Sequence, residues 1–338
     1  MGVRTTVVGS WWIPERHEGE LARLHRGELS DEAATLLLKR AAGDAILEQR
    51  QLGLSEWTGG EYQTSAFVDH LPRFLTGIAL KRAAQPEIVD YDDLAGYSIV
   101  GNIEAPRGLG YLDAYLRERS LEGGVSKVAV VSPLEMTIHE ADQPDEIHRQ
   151  LQALIGIVNR ELRAIADAGC PHVQLDAPVV GILVNMGQMS VEQAANLIAG
   201  CLDGVRARKT LHFCNGNLGG KPFSGKLRLA PWVEVLQRLE GVVDVALLEC
   251  CYFAEWLERE SLAGLPKRME LAAGIVSEAS YHIEPMSKIR ARAEGLVRIV
   301  GEDRLWLAPS CGLGRHPARD APVLRRKVEN LVAAAAAI

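Results

Sequence analysis

The feature that most constrains this chain is a recurring unit. A short apolar, β-branched run stops at a polar residue, and a helix-like segment follows in most cases. The runs are Thr5–Val8 before Gly9-Ser10, Leu52–Trp57 before Gly59-Gly60-Glu61, Lys127–Val131 before Ser132-Pro133, and His172–Leu175 before Asp176. They continue with Thr210–Leu211 before His212-Phe213-Cys214, Val242–Leu248 before Glu249, Leu271–Val276 before Ser277, and Leu305–Ala308 before Pro309-Ser310-Cys311. Between them lie segments of helical period, such as Glu146–Ala168, whose Ile147, Leu151, Leu154, Ile155, Val158, Leu162 and Ile165 form one apolar stripe. Strands alternating with helices predict a parallel sheet, and eight of them predict an α/β fold of the (β/α)8 TIM-barrel type. A doubly wound dinucleotide fold is disfavoured, because no G-x-G-x-x-G follows the first run. The extra run Tyr97–Ile103 breaks the eightfold count and is read as a hairpin near 97–106, in the long segment after the second strand.

Length alone would permit two domains, since 338 residues exceed twice the typical ~150. Barrels of this class reach such lengths as one unit, so a single domain over 1–338 is expected. The 37 Lys+Arg against 44 Asp+Glu leave a net charge of −7, which argues against a nucleic-acid partner. No uninterrupted apolar stretch approaches the ~18 residues of a membrane span. The opening MGVRTTVVGSWW lacks the apolar core and cleavage site of a secretory signal. A cytoplasmic enzyme acting on small molecules is the expectation.

In a barrel of this kind the chemistry sits at the carboxyl ends of the strands. Ser10, Glu61, Asp176, His212, Cys214, Glu249 and Cys311 occupy those ends and are expected to converge on one pocket mouth. Turn chemistry would explain small polar residues there, but not a His-x-Cys, an isolated Glu and a Cys-Gly. His212 and Cys214 are two apart in an extended segment, so both point to one face. Imidazole and thiolate suit zinc, and with Cys311 and Glu249 they make a plausible tetrahedral set. Of the six cysteines, Cys170 and Cys201 are read as ordinary buried residues, and at most one of Cys250 and Cys251 as pocket-lining. Disulfides are not expected in a reducing compartment. Trp11-Trp12 fits either a pocket wall or packing.

HFCNGN, DVALLE and LWLAPSCGL resemble the zinc-binding segments of the cobalamin-independent methionine synthase family, specifically its catalytic C-terminal barrel. The resemblance continues through TTVVGS (5–10), GLSEWTGGE, YSIVGNIEAP (97–106) and HVQLDAP (172–178), in matching order over most of the chain. Nothing in the chain matches the family's long N-terminal domain, so it resembles the short, barrel-only members. The resemblance implies zinc held by His212, Cys214 and Cys311, with Glu249 as a more exchangeable fourth ligand. It also implies that Ser10, Glu61 and Asp176 hold the amino-acid part of homocysteine. A thiol bound to zinc is deprotonated at neutral pH and remains a nucleophile for a methyl group.

Departures cluster on the methyl-donor side. The family's D-E-P-A-L-R-E stretch reads Asp176-Ala177-Pro178-Val179-Val180-Gly181-Ile182, so carboxylates that engage the pterin are missing. The family's folate-stacking Trp aligns with His139, and its proton-delivering D-x-H-S with Ser277-Glu278-Ala279-Ser280, near which His282 could substitute. The Gly- and Lys-rich stretch after Cys214 is read as a lid insertion within 215–240. The expected activity is therefore zinc-dependent methyl transfer to homocysteine or a similar thiol, giving methionine. Methyl-tetrahydrofolate, a methyl-corrinoid (with a corrinoid protein as partner) or a sulfonium remain open as donors. Two alternatives stand beside it: an alkyl or epoxide transferase resembling the epoxyalkane–coenzyme M enzymes, and a non-catalytic metal- or ligand-binding barrel.

Overall fold

The computed structural model describes residues 2–64, 71–82, 96–137, 144–216, 228–314, 316 and 318–338. Its strands are β1 (Arg4–Thr5), β2 (Thr76–Arg82), β3 (Gly96–Glu104), β4 (Val128–Val131), β5 (His172–Asp176), β6 (Arg208–Phe213), β7 (Val245–Glu249), β8 (Glu270–Val276) and β9 (Leu305–Pro309). Seven of them form one curled parallel sheet in the order β1-β9-β8-β7-β6-β5-β4. Helices packed outside it, among them Pro144–Asp167, Val191–Leu202, Leu229–Arg238, Met286–Val300 and Ala321–Ala336, complete a single α/β domain.

Strands β5, β7 and β9 are buried at every position, because helices cover one face and the curl closes over the other. Their sequences accordingly read as continuous apolar runs, not as alternation. Alternation survives in a subtler form. Residues facing outward, such as Leu175, Leu211, Leu248 and Leu307, join the main core with the helices. Residues facing inward build a small second core of Val8, Val245, Leu247, Ala272, Trp306 and Ala308. Polar inward residues lie above and below that plug. Trp11 and Trp12 stack at 3.8 Å inside a third cluster with the N-terminal helices Glu15–His25 and Asp31–Gln51, so they serve packing.

One expected strand differs. Helix Asp31–Gln51 runs to the start of Leu52–Trp57, and that run forms no strand. It lies between the two sheet edges and touches both: Ser55 and Glu56 amides donate to the Thr5 carbonyl at 3.1 and 3.2 Å, and the Ser126 and Lys127 amides donate to the Trp57 carbonyl at 3.1 and 3.3 Å. A ladder fails because hydroxyls take its bonds. The Thr5 amide donates to Ser55 Oγ, the Ser55 amide to Thr5 Oγ1 and the Trp57 amide to Ser126 Oγ. The glycines at 59 and 60 then bend the chain, with Gly60 at a φ of 86°.

The extra run after this segment does form a hairpin arm. β3 pairs antiparallel with β2, as the broken eightfold count predicted. The proposed lid narrows. Residues 229–238 are a helix whose Trp232, Val233, Val235 and Leu236 are buried in the main core, which corrects the reading of the whole 215–240 stretch as lid; residues 217–227 lie outside the described residues, as does His139. Among the described residues no helix is long and apolar enough to cross a membrane.

Candidate active site

Several of the inward-facing strand ends meet. β5 and β6 pair with Asp176 opposite His212, and β7 ends at Glu249 opposite Gly274 of β8. His212 Nδ1 lies 3.0 Å from Asp176 Oδ1. A carboxylate oxygen only accepts, so Nδ1 carries the proton and Nε2 presents its lone pair. Nε2 is buried and has no hydrogen-bond partner among the described residues. The atom facing it is sulfur: one ring nitrogen of His212 and the Sγ atoms of Cys214 and Cys311 all lie within 4.8 Å of one another. The two sulfurs are 3.6 Å apart, and the Gly216 amide donates to Cys214 Sγ at 3.4 Å. All six cysteines are free, and Cys250 is fully buried in the main core.

The surroundings of this cluster disfavour a negative charge on Cys214. The hydrogen bond with Cys311 pushes the Cys214 thiol well up, and burial and the charges of Cys311 and Glu249 push the same way. Glu249 is wholly buried at the end of β7 but stands outside the tight His/Cys/Cys group. A buried, orphaned imidazole nitrogen beside two thiols is the donor chemistry that a soft or borderline divalent cation satisfies, so these residues fit zinc.

Ser10 and Glu61 sit at the rim, half-buried. Ser10 Oγ accepts from the Gly314 amide at 3.1 Å and its carbonyl accepts from the Leu313 amide at 3.0 Å, which buttons the Cys311 loop onto the first strand. A Cβ on Gly312 would stand 2.3 Å from Ser10 Oγ, so that approach requires glycine. Glu61 is the one non-glycine among the described residues with a left-handed φ, at 60°. Strain of this kind costs about 1–3 kcal/mol and persists where surroundings impose it. Its carboxylate lies where a Gly9 Cβ would be, 2.2 Å from Oε1. Glu61 and Asp176 share a neighbour: the Tyr111 hydroxyl is pushed well up by burial first and by both of their charges.

His282 is exposed, its amide donating to Ser280 Oγ at 3.1 Å. The histidine held at the strand-eight end is instead His316, with Nε2 3.3 Å from Glu278 Oε2 and Nδ1 3.6 Å from Asp320 Oδ2. Glu278 in turn donates its amide to Ser310 Oγ, next to Cys311. Sequence reasoning missed this pair because the two lie in different loops. It also missed Glu135, buried and pushed well up by that burial, whose Oε1 accepts from the Val179 amide at 2.9 Å. Helix Pro178–Asn185 has Ala177 as its N-cap, which cannot cap it, and Glu135 does so from the turn after the neighbouring strand β4.

Comparison with known proteins agrees with this geometry. Residues 3–337 match the family described as the catalytic domain of cobalamin-independent synthase. Methionine synthase of Sulfurisphaera tokodaii is 22% identical over 97% of this chain and 90% of its own length. A 5-methyltetrahydropteroyltriglutamate–homocysteine methyltransferase of Nitratidesulfovibrio vulgaris is 24% identical over 98% of this chain, which corresponds to 41% of that enzyme. In structure, the chain overlays on a B12-independent methionine synthase from a Shewanella species, solved in complex with selenomethionine, with a TM-score of 0.81, 19% identity and coverage of 100% and 98%. A site of histidine, two thiols and carboxylates at the strand ends, on a fold shared with these enzymes, leads to one conclusion: the chain belongs to the cobalamin-independent methionine synthase family, at its catalytic domain, and is a methyltransferase.

Proposed function

We propose that the enzyme methylates homocysteine, or an amino-acid thiol like it, to give methionine, with zinc held by His212, Cys214, Cys311 and, more loosely, Glu249. The observation that carries this is the buried His212 Nε2 without a hydrogen-bond partner among the described residues, on a ring that brings one nitrogen within 4.8 Å of two thiols. When bound, zinc supplies the positive charge that keeps a thiol deprotonated at neutral pH. Glu249, outside the tight group, would be the loosest of the four residues holding the ion. Glu61 and Asp176 then hold the α-ammonium, the latter through Oδ2, since Oδ1 is engaged with His212 and Gln174. Ser10 accepts from Gly314 and so keeps its own proton for the substrate carboxylate. The Shewanella enzyme was solved with selenomethionine, an analogue of the product proposed for this one. Transfer forms a carbon–sulfur bond and breaks the methyl bond to the donor, which leaves with the electron pair. Proton delivery to it falls to His282 or to His316.

We further read the curled sheet as a closed eightfold barrel over 1–338, with residues 54–60 as the eighth stave, acting in the cytoplasm where its thiols stay reduced. The test is purified protein assayed for zinc and for homocysteine-dependent methionine formation with methyl-tetrahydrofolate, methylcobalamin and S-methylmethionine. About one zinc per chain and turnover with one donor are expected. Protein without zinc, or turnover of an epoxide and of no methyl donor, overturns the reading.

A further inference from the structure

Below Asp176 the concave interior holds a buried cation that methyl transfer does not use. Lys127 is 1% exposed, and its Nζ donates to Thr6 Oγ1 at 3.0 Å, to Gln174 Oε1 at 2.8 Å and to the Val7 carbonyl. An ammonium has three protons and no lone pair, so its capacity is spent. Because Lys127 can only donate, it faces the oxygen end of the Gln174 amide. The nitrogen end is thereby turned the other way, where Nε2 donates to the Val8 carbonyl at 2.7 Å and to Asp176 Oδ1 at 2.6 Å. Both of those partners are acceptors, so a flipped amide would set oxygen against oxygen on one side and protons against an ammonium on the other. Asp176 Oδ1 is also the atom that receives His212 Nδ1.

We propose that Lys127 and Gln174 are positioning residues of the metal centre: through Asp176 they lock His212 with its proton on Nδ1 and its Nε2 lone pair turned toward Cys214 and Cys311. This rests on the zinc reading of those three residues and extends it two links inward. Charge on the amide oxygen strengthens the donor at its other end, so the chain acts as one polarised unit. Burial pushes Lys127 below its ordinary value, and the charges of Glu56, Asp176 and Glu61 oppose that.

The test starts from metal-free protein labelled with 15N-histidine, with the His212 signals assigned from a His212→Asn variant. Wild type is expected to show a protonated Nδ1 and an unprotonated Nε2. In Gln174→Met, of similar volume, His212 should sample both tautomers, and the zinc dissociation constant from chelator competition should rise about tenfold or more. Lys127→Met should shift both readings in the same direction by less. Circular dichroism establishes that each variant is folded, and the thiolate bands of cobalt-loaded protein report that both sulfurs still ligate. A wild-type His212 protonated on Nε2 overturns the proposal, whether or not either variant folds. So does a folded Gln174→Met with unchanged tautomer and zinc affinity. Wild type that binds no zinc overturns the zinc reading instead, while the tautomer in metal-free protein still decides this one.

Discussion

The two ends of the concave interior carry similar numbers of charged groups and treat them in opposite ways. At the amino end of the strands, Glu270 receives Arg4 at 2.6 Å together with Arg208 and the indole of Trp306, and the Arg4 guanidinium lies 4.0 Å over that ring. Two cations, one carboxylate and one aromatic face satisfy each other there. At the carboxyl end, Cys214 and Cys311 lie beside a His212 whose Nδ1 is taken by Asp176 and whose buried Nε2 has no partner among the described residues, with the carboxylates of Glu249 and Glu61 at neighbouring strand ends. A closed set of partners holds a fold, whereas the second set is the one our proposed zinc would complete. Folding strength and chemistry are thus separated along the strands, about five residues apart.

Breaking the carboxyl end should cost function and spare the fold. Cys311→Ser removes a thiol from the rim and is expected to abolish both zinc retention and methyl transfer, with the melting temperature of the metal-free protein unchanged; metal analysis, assay and calorimetry together check it. Glu61→Gln sharpens the assignment within that end. Losing a charge-assisted bond to an ammonium, about 1.5–3 kcal/mol, should raise KM for the amino-acid thiol roughly ten- to a hundredfold while zinc content holds. An unchanged KM would move the ammonium elsewhere.

Breaking the amino end should do the reverse. Glu270→Gln is expected to cost about 2 kcal/mol of stability in denaturant titrations and to leave zinc stoichiometry intact. Burial pushes the Glu270 carboxyl up, but hydrogen bonds from Arg4, Arg208 and Trp306 outweigh it and hold the group below its ordinary value. Its contribution is therefore present above the unfolded pKa and lost as pH falls through the folded one. The gap between wild type and variant should close below about pH 4. The smallest effect concerns His316. Burial would lower its pKa, yet Glu278 and Asp320 raise it. Such a group contributes fully below the unfolded value near 6.5 and loses that contribution as pH rises through the folded one. His316→Gln should cost under about 1 kcal/mol at pH 6 and less at pH 8.5, read from paired melts.

Period and strand-end chemistry made seven of the eight expected strands legible, because a strand buried on both faces leaves a continuous apolar run in the sequence. Leu52–Trp57 carried the same signal and was misread, since its ladder was lost to hydroxyls on Ser55 and on the distant Thr5 and Ser126. The His-x-Cys and Cys-Gly were legible as a cluster because parallel strands must bring their carboxyl ends together. Asp176 was legible as a site residue, but its engagement with His212 was not, for that depends on the register of β5 against β6. Glu135, Gln174 and Lys127 were invisible for the same reason. Glu135 meets Val179, and Lys127 meets Gln174, across more than forty residues, and no local pattern records such a meeting.

The seam at residues 54–60 has a consequence for how the enzyme fails. Every other junction among the main-sheet strands is a parallel ladder, while this one is a few point bonds, some from amide to carbonyl and some from amide to hydroxyl. Gentle warming should loosen it first, swinging Glu61 away from the rim while Ser10, tied to the Cys311 loop, and His212 and Cys214 stay on intact strands. A heat-aged preparation, loaded with the zinc we propose, would then keep that metal and lose its appetite for substrate, so that metal content alone would overstate how much working enzyme a sample contains.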